Sequence, residues 1–125
     1  MTRTALTAFA VVAAVVLVAS SAQSAELIMV EEKGCPWCAR WDAEIAPIYP
    51  LTEEGKTAPL RRIDLHGRRP ENIAFRRPIS FTPTFVLVAD GKELGRIEGY
   101  PGEDFFWPLL NKLLKKHIEL EGDKQ

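Results

Sequence analysis

The sequence predicts one α/β domain in which a central mixed sheet is flanked by helices, in the order βαβ(α)ββα. Three observations carry that expectation. Short apolar runs alternate with helical patterns, an Asp90-Gly91 pair separates the last two runs, and the final segment has the spacing of an amphipathic helix. No repeat or low-complexity linker divides the chain after residue 25, so a single core is expected.

Leu27-Ile28-Met29-Val30 is a continuous apolar run bounded by charged residues and Gly34, which suits a strand buried on both faces. From Pro36 onward Cys38, Trp41, Ile45 and Ile48 recur at helical spacing, with Arg40, Asp42 and Glu44 between them, until Pro47 and Pro50 bend or end the element. After a polar stretch at 52–56, residues 60–65 read as a second strand, reached by a helical crossover and so parallel to the first. The segment 66–78 is the least regular, with a helical pattern around 71–75. Residues 80–89 and 92–98 then form an antiparallel pair around the tight Asp90-Gly91 turn. The last helix spans about 103–117, with Phe106, Leu109, Leu110, Leu113 and Leu114 on one face. Acids at its start and Lys115, Lys116 and His117 at its end match the helix dipole, while Pro108 implies a kink or a later start.

Residues 1–25 carry one charged side chain, Arg3, then an apolar run from Ala5 to Ala19 and a stretch of small residues through Ala25. That layout is a cleavable secretory signal peptide, because the apolar run is shorter than the roughly 20 residues a spanning helix needs. Cleavage is expected between 22 and 25, leaving 26–125 as a domain without a permanent membrane anchor. The compartment would be extracytoplasmic, where disulfides persist, and in a bacterium periplasmic. A formal charge of −1 gives no reason to expect nucleic acid as a partner. Six arginines between 61 and 77 face only Asp64 and Glu71 there; they read as a solvated surface, with docking of an acidic partner as the sharper alternative.

Cys35 and Cys38 are the only cysteines, in Lys33-Gly34-Cys35-Pro36-Trp37-Cys38. A four-cysteine zinc site lacks its second pair, and haem attachment lacks the required histidine, since Ala39 follows Cys38. A redox dithiol, a structural disulfide and a soft-metal site stay open. A bond closing so short a loop restricts the unfolded chain little, which weighs against a purely structural role. For redox work the thiolate must be stabilised. A helix N-terminus at Cys35 offers unpaired N–H groups and the positive dipole end, Pro36 at the first helical position wastes no donor, and Lys33 adds positive charge. Cys38, three residues on, lies on the same helix face and can resolve a mixed disulfide. No metal site and no prosthetic cofactor are expected: His66 is a single histidine, and His117 is a helix-end charge. Trp37 is expected to face a client, whereas Trp41, Phe85 and Phe106 belong to the core.

The Cys-x-x-Cys at a helix start, Pro83 within Phe81-Thr82-Pro83-Thr84-Phe85, the element order, and Gly99-Tyr100-Pro101-Gly102-Glu103 followed by Phe105-Phe106 together resemble the thioredoxin superfamily, in its periplasmic branch. The Gly-Cys-Pro-Trp-Cys centre, the size and the leader are similar to the small thioredoxin-like proteins of bacterial sulfur-oxidation systems, the SoxS type. The resemblance implies a thioredoxin-like fold, a cis peptide bond before Pro83, and a thiol-disulfide oxidoreductase in which Cys35 attacks and Cys38 resolves. It implies that Thr82 pairs its backbone with an extended client, and surface such as Trp37 and Tyr100 then supplies specificity. The client would carry a disulfide or a modified cysteine, the sulfur-carrier protein in the narrower case, and a membrane thiol-reducing relay would supply electrons. Oxidation or isomerisation of secreted proteins is one alternative, and carriage of copper or another soft metal is another. No dimer stripe is evident, so a monomer is expected. One departure stands out: where thioredoxins carry a buried acid in the first core strand this chain has Met29, with Glu31 and Glu32 as candidate substitutes. The Pro36-Trp37 pair resembles the Pro-Tyr of glutaredoxins, which leaves a glutathione site open.

Overall fold

The computed structural model describes residues 14–15 and 24–119; the signal peptide expected over residues 1–25 lies almost wholly outside them. Strand β1 (Ala25–Glu31) leads into helix α1 (Pro36–Glu44), a 3-10 turn (Tyr49–Leu51) and a short helix α2 (Glu53–Thr57). Then come β2 (Leu60–Asp64), β3 (Thr84–Ala89), β4 (Lys92–Glu98) and α3 (Glu103–Leu114), which continues into a π-helical turn over Lys115–Glu119. The four strands form one mixed sheet in the order β2-β1-β3-β4. β1 runs parallel to β2, from Leu27 opposite Leu60 to Glu31 opposite Asp64, and antiparallel to β3. Among the described residues no helix is long and apolar enough to cross a membrane.

The continuous apolar runs of β1 and β3 are explained by burial on both faces. On one face Leu27 and Met29 of β1 and Phe85 and Leu87 of β3 pack under Trp41 and Ile45 of α1 and Phe106 and Leu110 of α3. Rings meet there edge to face, Phe85 with Phe106 at 5.0 Å between centroids and Trp41 with Phe106 at 5.9 Å. Tyr49 closes this core, its hydroxyl donating to the Ala58 carbonyl at 2.6 Å, and burial pushes its phenol well above the usual range. On the other face Ile28, Val30, Ile63, Val86 and Val88 form a smaller aliphatic cluster with Ile79.

The crossover between the parallel strands is more helical than the polar stretch at 52–56 suggests. Thr52 caps α2 by accepting the Gly55 N–H at 3.1 Å, and a side chain at Gly55 would overlap the Tyr49 carbonyl. The hairpin between β3 and β4 turns at Asp90 and Gly91, both at positive φ (52° and 74°), as a two-residue turn that matches strand twist requires. α3 begins at Glu103 with Pro108 inside it, and not later. Pro108 is exposed, so water can serve the carbonyl one turn earlier that loses its partner.

The helix expected around 71–75 does not form. Ile73 and Phe75 alternate as in a strand, both packing on the aliphatic cluster, and the backbone finds its partners in the hairpin. Ala74 N–H donates to Gly91 O at 2.7 Å and its carbonyl accepts from Glu93 N–H at 3.2 Å. The buried Glu93 carboxylate accepts the Arg76 N–H at 3.0 Å and pairs with Arg96, whose guanidinium also donates to the Arg77 and Pro78 carbonyls. With those partners available an irregular segment satisfies its donors without helical turns.

Candidate active site

Three segments converge at the end of the sheet where β1 stops and β3 starts. β1 ends at Glu31, and Gly34, at φ +78°, turns the chain into α1, so that Cys35 becomes the helix N-cap and Pro36 its first residue. Cys38, one turn along, donates its N–H to Cys35 Sγ at 3.1 Å. The two sulfurs are joined in a disulfide, with the Cα atoms 5.3 Å apart. Cys38 is buried beneath α1, whereas Cys35 is partly exposed at the rim. Both cysteines line an open cleft of about 580 Å³ shared with Glu31, Glu32, Asp42 and Asp64.

The loop before β3 reaches the same end of the sheet, where the Thr82 hydroxyl donates to Glu32. The Thr82–Pro83 peptide is cis, Pro83 is buried, and its carbonyl accepts the Gly99 N–H at 2.7 Å. Thr82 is half-buried, and Phe81 beside it is 60% exposed. Lys33 and Pro36 are exposed, and Trp37 is 52% exposed, an unusual degree for an indole in a small domain.

Trp37 has a support that the sequence did not announce. The Arg40 guanidinium lies 5.8 Å from the Trp37 ring centre and 6.0 Å from that of Tyr100. Glu44 anchors it, accepting from Arg40 Nε and from the Tyr100 hydroxyl, each at 2.6 Å. Those bonds, the tyrosine's first, hold the Glu44 carboxyl below the usual range; burial and the same bond push the Tyr100 phenol up. Tyr100 is itself buried, so it is a support for Arg40 and not the recognition surface expected of it. Positions 37, 40 and 44 lie at helical spacing and could have suggested this stack; the arrival of Tyr100 could not be read.

Met29, at the position where thioredoxins carry an acid, is fully buried, and Arg62 Nη1 approaches its sulfur at 3.8 Å. The same guanidinium binds Glu31 and Asp42 at 2.7 Å each. Glu31 and Glu32 therefore reach the cleft beside Cys38 with their carboxylates already engaged. Glu32 accepts the Thr82 hydroxyl at 2.7 Å and meets His66 Nε2 at 2.7 Å. His66 thus joins the site through Glu32; among the described residues no group of three or more His, Cys, Asp or Glu could hold a metal ion. The arginine cluster resolves largely into pairs: Arg61 with Glu26, Arg62 as above, Arg68 with Glu71, and Arg77 with Glu98.

Residues 14–114 match the family model of the thioredoxin-like domain. The crystal structure of the periplasmic thioredoxin SoxS from Paracoccus pantotrophus, in its reduced form, is 57% identical, with a TM-score of 0.71 over 72% of this chain and 95% of that one. Thioredoxin-2 of a malaria parasite (20% identity, TM-score 0.52, 72% of this chain and 84% of that one) shares the fold, as does thioredoxin f2 of Chlamydomonas reinhardtii (14%, 0.54, 79% and 83%). Among curated proteins no sequence matches.

Proposed function

The chain belongs to the thioredoxin-like family and is a thiol-disulfide oxidoreductase, and we propose that it works in the periplasm as a reductant of a client protein. The client in this reading is the sulfur-carrier protein of a sulfur-oxidation system, reduced at a disulfide or a modified cysteine. The observation that carries it is the Cys35–Cys38 bond at the start of α1, with the Cys38 N–H aimed at Cys35 Sγ and the Thr82–Pro83 loop alongside. The 57% identity to a periplasmic thioredoxin of the SoxS type supports the compartment and the system.

The proposed steps are supported by this geometry. In the reduced protein the helix N-terminus and the Cys38 N–H stabilise negative charge on Cys35, favouring the thiolate that attacks. Attack on a client disulfide forms a bond from Cys35 to one client sulfur and releases the other as a thiolate. Cys38 then loses its proton toward the cleft and attacks Cys35 Sγ, expelling the second client thiolate and restoring the disulfide. The client gains two electrons, which a membrane thiol-reducing relay would return to the dithiol. Thr82 and Pro83 present backbone to an extended client segment, Pro36 and Trp37 contact it, and Lys33 adds positive charge beside Cys35. The leader would be removed ahead of Ala25, because Ala25 is buried and pairs with Ala89 in the sheet.

The test is a trap. In Cys38→Ser the mixed disulfide has no resolving thiol, so clients should accumulate bound through Cys35 in periplasmic extract and be identifiable by mass spectrometry. Capture of the sulfur carrier is the expected result; capture of no protein at all under reducing turnover would overturn the reading.

A further inference from the structure

We propose that Glu32 is a positioning residue that holds Thr82, and with it the loop carrying Pro83, in place against Cys35. The inference rests on the oxidoreductase reading above and names a part of that site to which the family motif assigns nothing. Glu32 stands three residues before Cys35, and its carbonyl accepts the Cys35 N–H at 3.3 Å, so its backbone belongs to the turn that sets the nucleophile. Its side chain reaches two other loops. Oε1 accepts from Thr82 Oγ1 at 2.7 Å and Oε2 is 2.7 Å from His66 Nε2. An ionised carboxylate only accepts, so the imidazole N–H is the donor. His66 is held in turn, its backbone N–H donating to Asp64 Oδ1 at 2.7 Å.

One carboxylate thus ties three loops together: the turn into α1, the loop after β2 and the loop before β3. Glu32 and Thr82 are fifty positions apart in sequence, and bonds to an ionised acceptor are roughly twice as strong as neutral ones. The Thr82 hydroxyl bond, then that of His66, holds the Glu32 carboxyl below its ordinary range, so it stays ionised at neutral pH. Its neighbour Glu31 does not compete, being engaged by Arg62. Thr82 is the residue whose backbone a client strand would pair with. Fixing it beforehand removes an ordering cost that would otherwise fall on each client as it binds. Loss of the tie should therefore appear in client affinity more than in the chemical step.

The experiment follows exchange between the full protein and a disulfide-bonded peptide, for wild type, Glu32→Ala, Glu32→Gln, Thr82→Val and the Glu32→Ala/Thr82→Val double variant. Glu32→Ala should raise KM about 3- to 10-fold with kcat changed far less, and Glu32→Gln, whose amide oxygen still accepts from Thr82, should recover most of that. Thr82→Val should raise KM similarly, and the double variant no further than either single change. A KM for Glu32→Ala equal to wild type, or single effects that multiply in the double variant, would overturn the proposal. Should Glu32→Ala fail to fold, the threonine variants decide the matter: Thr82→Val should raise KM while Thr82→Ser, which keeps the hydroxyl, should not, and equal KM values for the two would overturn the proposal. Exchange can be read with peptide disulfide or peptide dithiol, so a protein that oxidises its clients would sink the reductase reading and still report the coupling.

Discussion

The two faces of the sheet are covered in opposite ways. One lies under α1 and α3, whose backbone bonds are mostly helical and whose aromatic side chains, Trp41 and Phe106 above all, fill the space over Leu27, Met29 and Phe85. The other lies under irregular chain between β2 and β3, whose donors and acceptors are met by the hairpin through Ala74, Glu93 and Arg96. The reactive dithiol belongs to the helical cover, and the Thr82–Pro83 loop, where we propose that a client binds, ends the irregular one. The site is the seam between them. In the proposed reading a rigid element thus holds the chemistry, and a segment fixed by a few specific contacts holds the recognition.

The largest expected effect is on the helical side. Phe106→Ala empties the centre of the aromatic cluster and should cost about 3–5 kcal/mol, read as a fall in the urea midpoint with unchanged slope. A cost near 1 kcal/mol would mean that this face is not the main core.

Glu93→Gln tests the irregular side. The Arg96 side chain, 4% exposed, would lose its nearest carboxylate and keep two backbone carbonyls and Glu98 at 3.8 Å. A loss of up to about 3 kcal/mol is expected, the low end of what breaking a buried pair costs. The pH dependence has a definite sign. Burial alone would raise the Glu93 carboxyl, but the Arg96 bonds and the Arg76 N–H outweigh it and hold the folded value below the ordinary 4.5. Its stabilisation is therefore present above the unfolded value and is lost as pH falls through the folded one. Urea midpoints of wild type should drop on the acid side more steeply than those of Glu93→Gln; parallel curves would remove the anchor from this account.

Arg68→Ala should do least. Its pair with Glu71 is almost fully solvated, and a change below about 0.5 kcal/mol is expected in the same titration. A larger loss would show that the irregular cover depends on its outer ion pairs as well as on Glu93.

What could be read in the sequence follows the same division. Continuous apolar runs revealed β1 and β3, which are buried on both faces, periodicity revealed the helical cover, which buries one, and the Asp90-Gly91 turn and the Cys35-Pro36 helix start are local signals. The cover at 66–83 could not be read, since Ala74 and Arg76 find their partners in a hairpin downstream and no local pattern records that. At the site, Cys35, Cys38 and Pro83 were legible from a motif and a resemblance. The roles of Glu32, Arg40 and Tyr100 depend on contacts between distant segments, and Tyr100 was misassigned because a turn residue beside an active centre is as easily a buried support as a surface.

The reduction potential of the Cys35–Cys38 pair, equilibrated with glutathione and read by thiol trapping and mass spectrometry, tests the central claim most directly. A client reductase should lie near or below about −230 mV; a value near or above about −180 mV would contradict the account and make the protein an oxidant or isomerase.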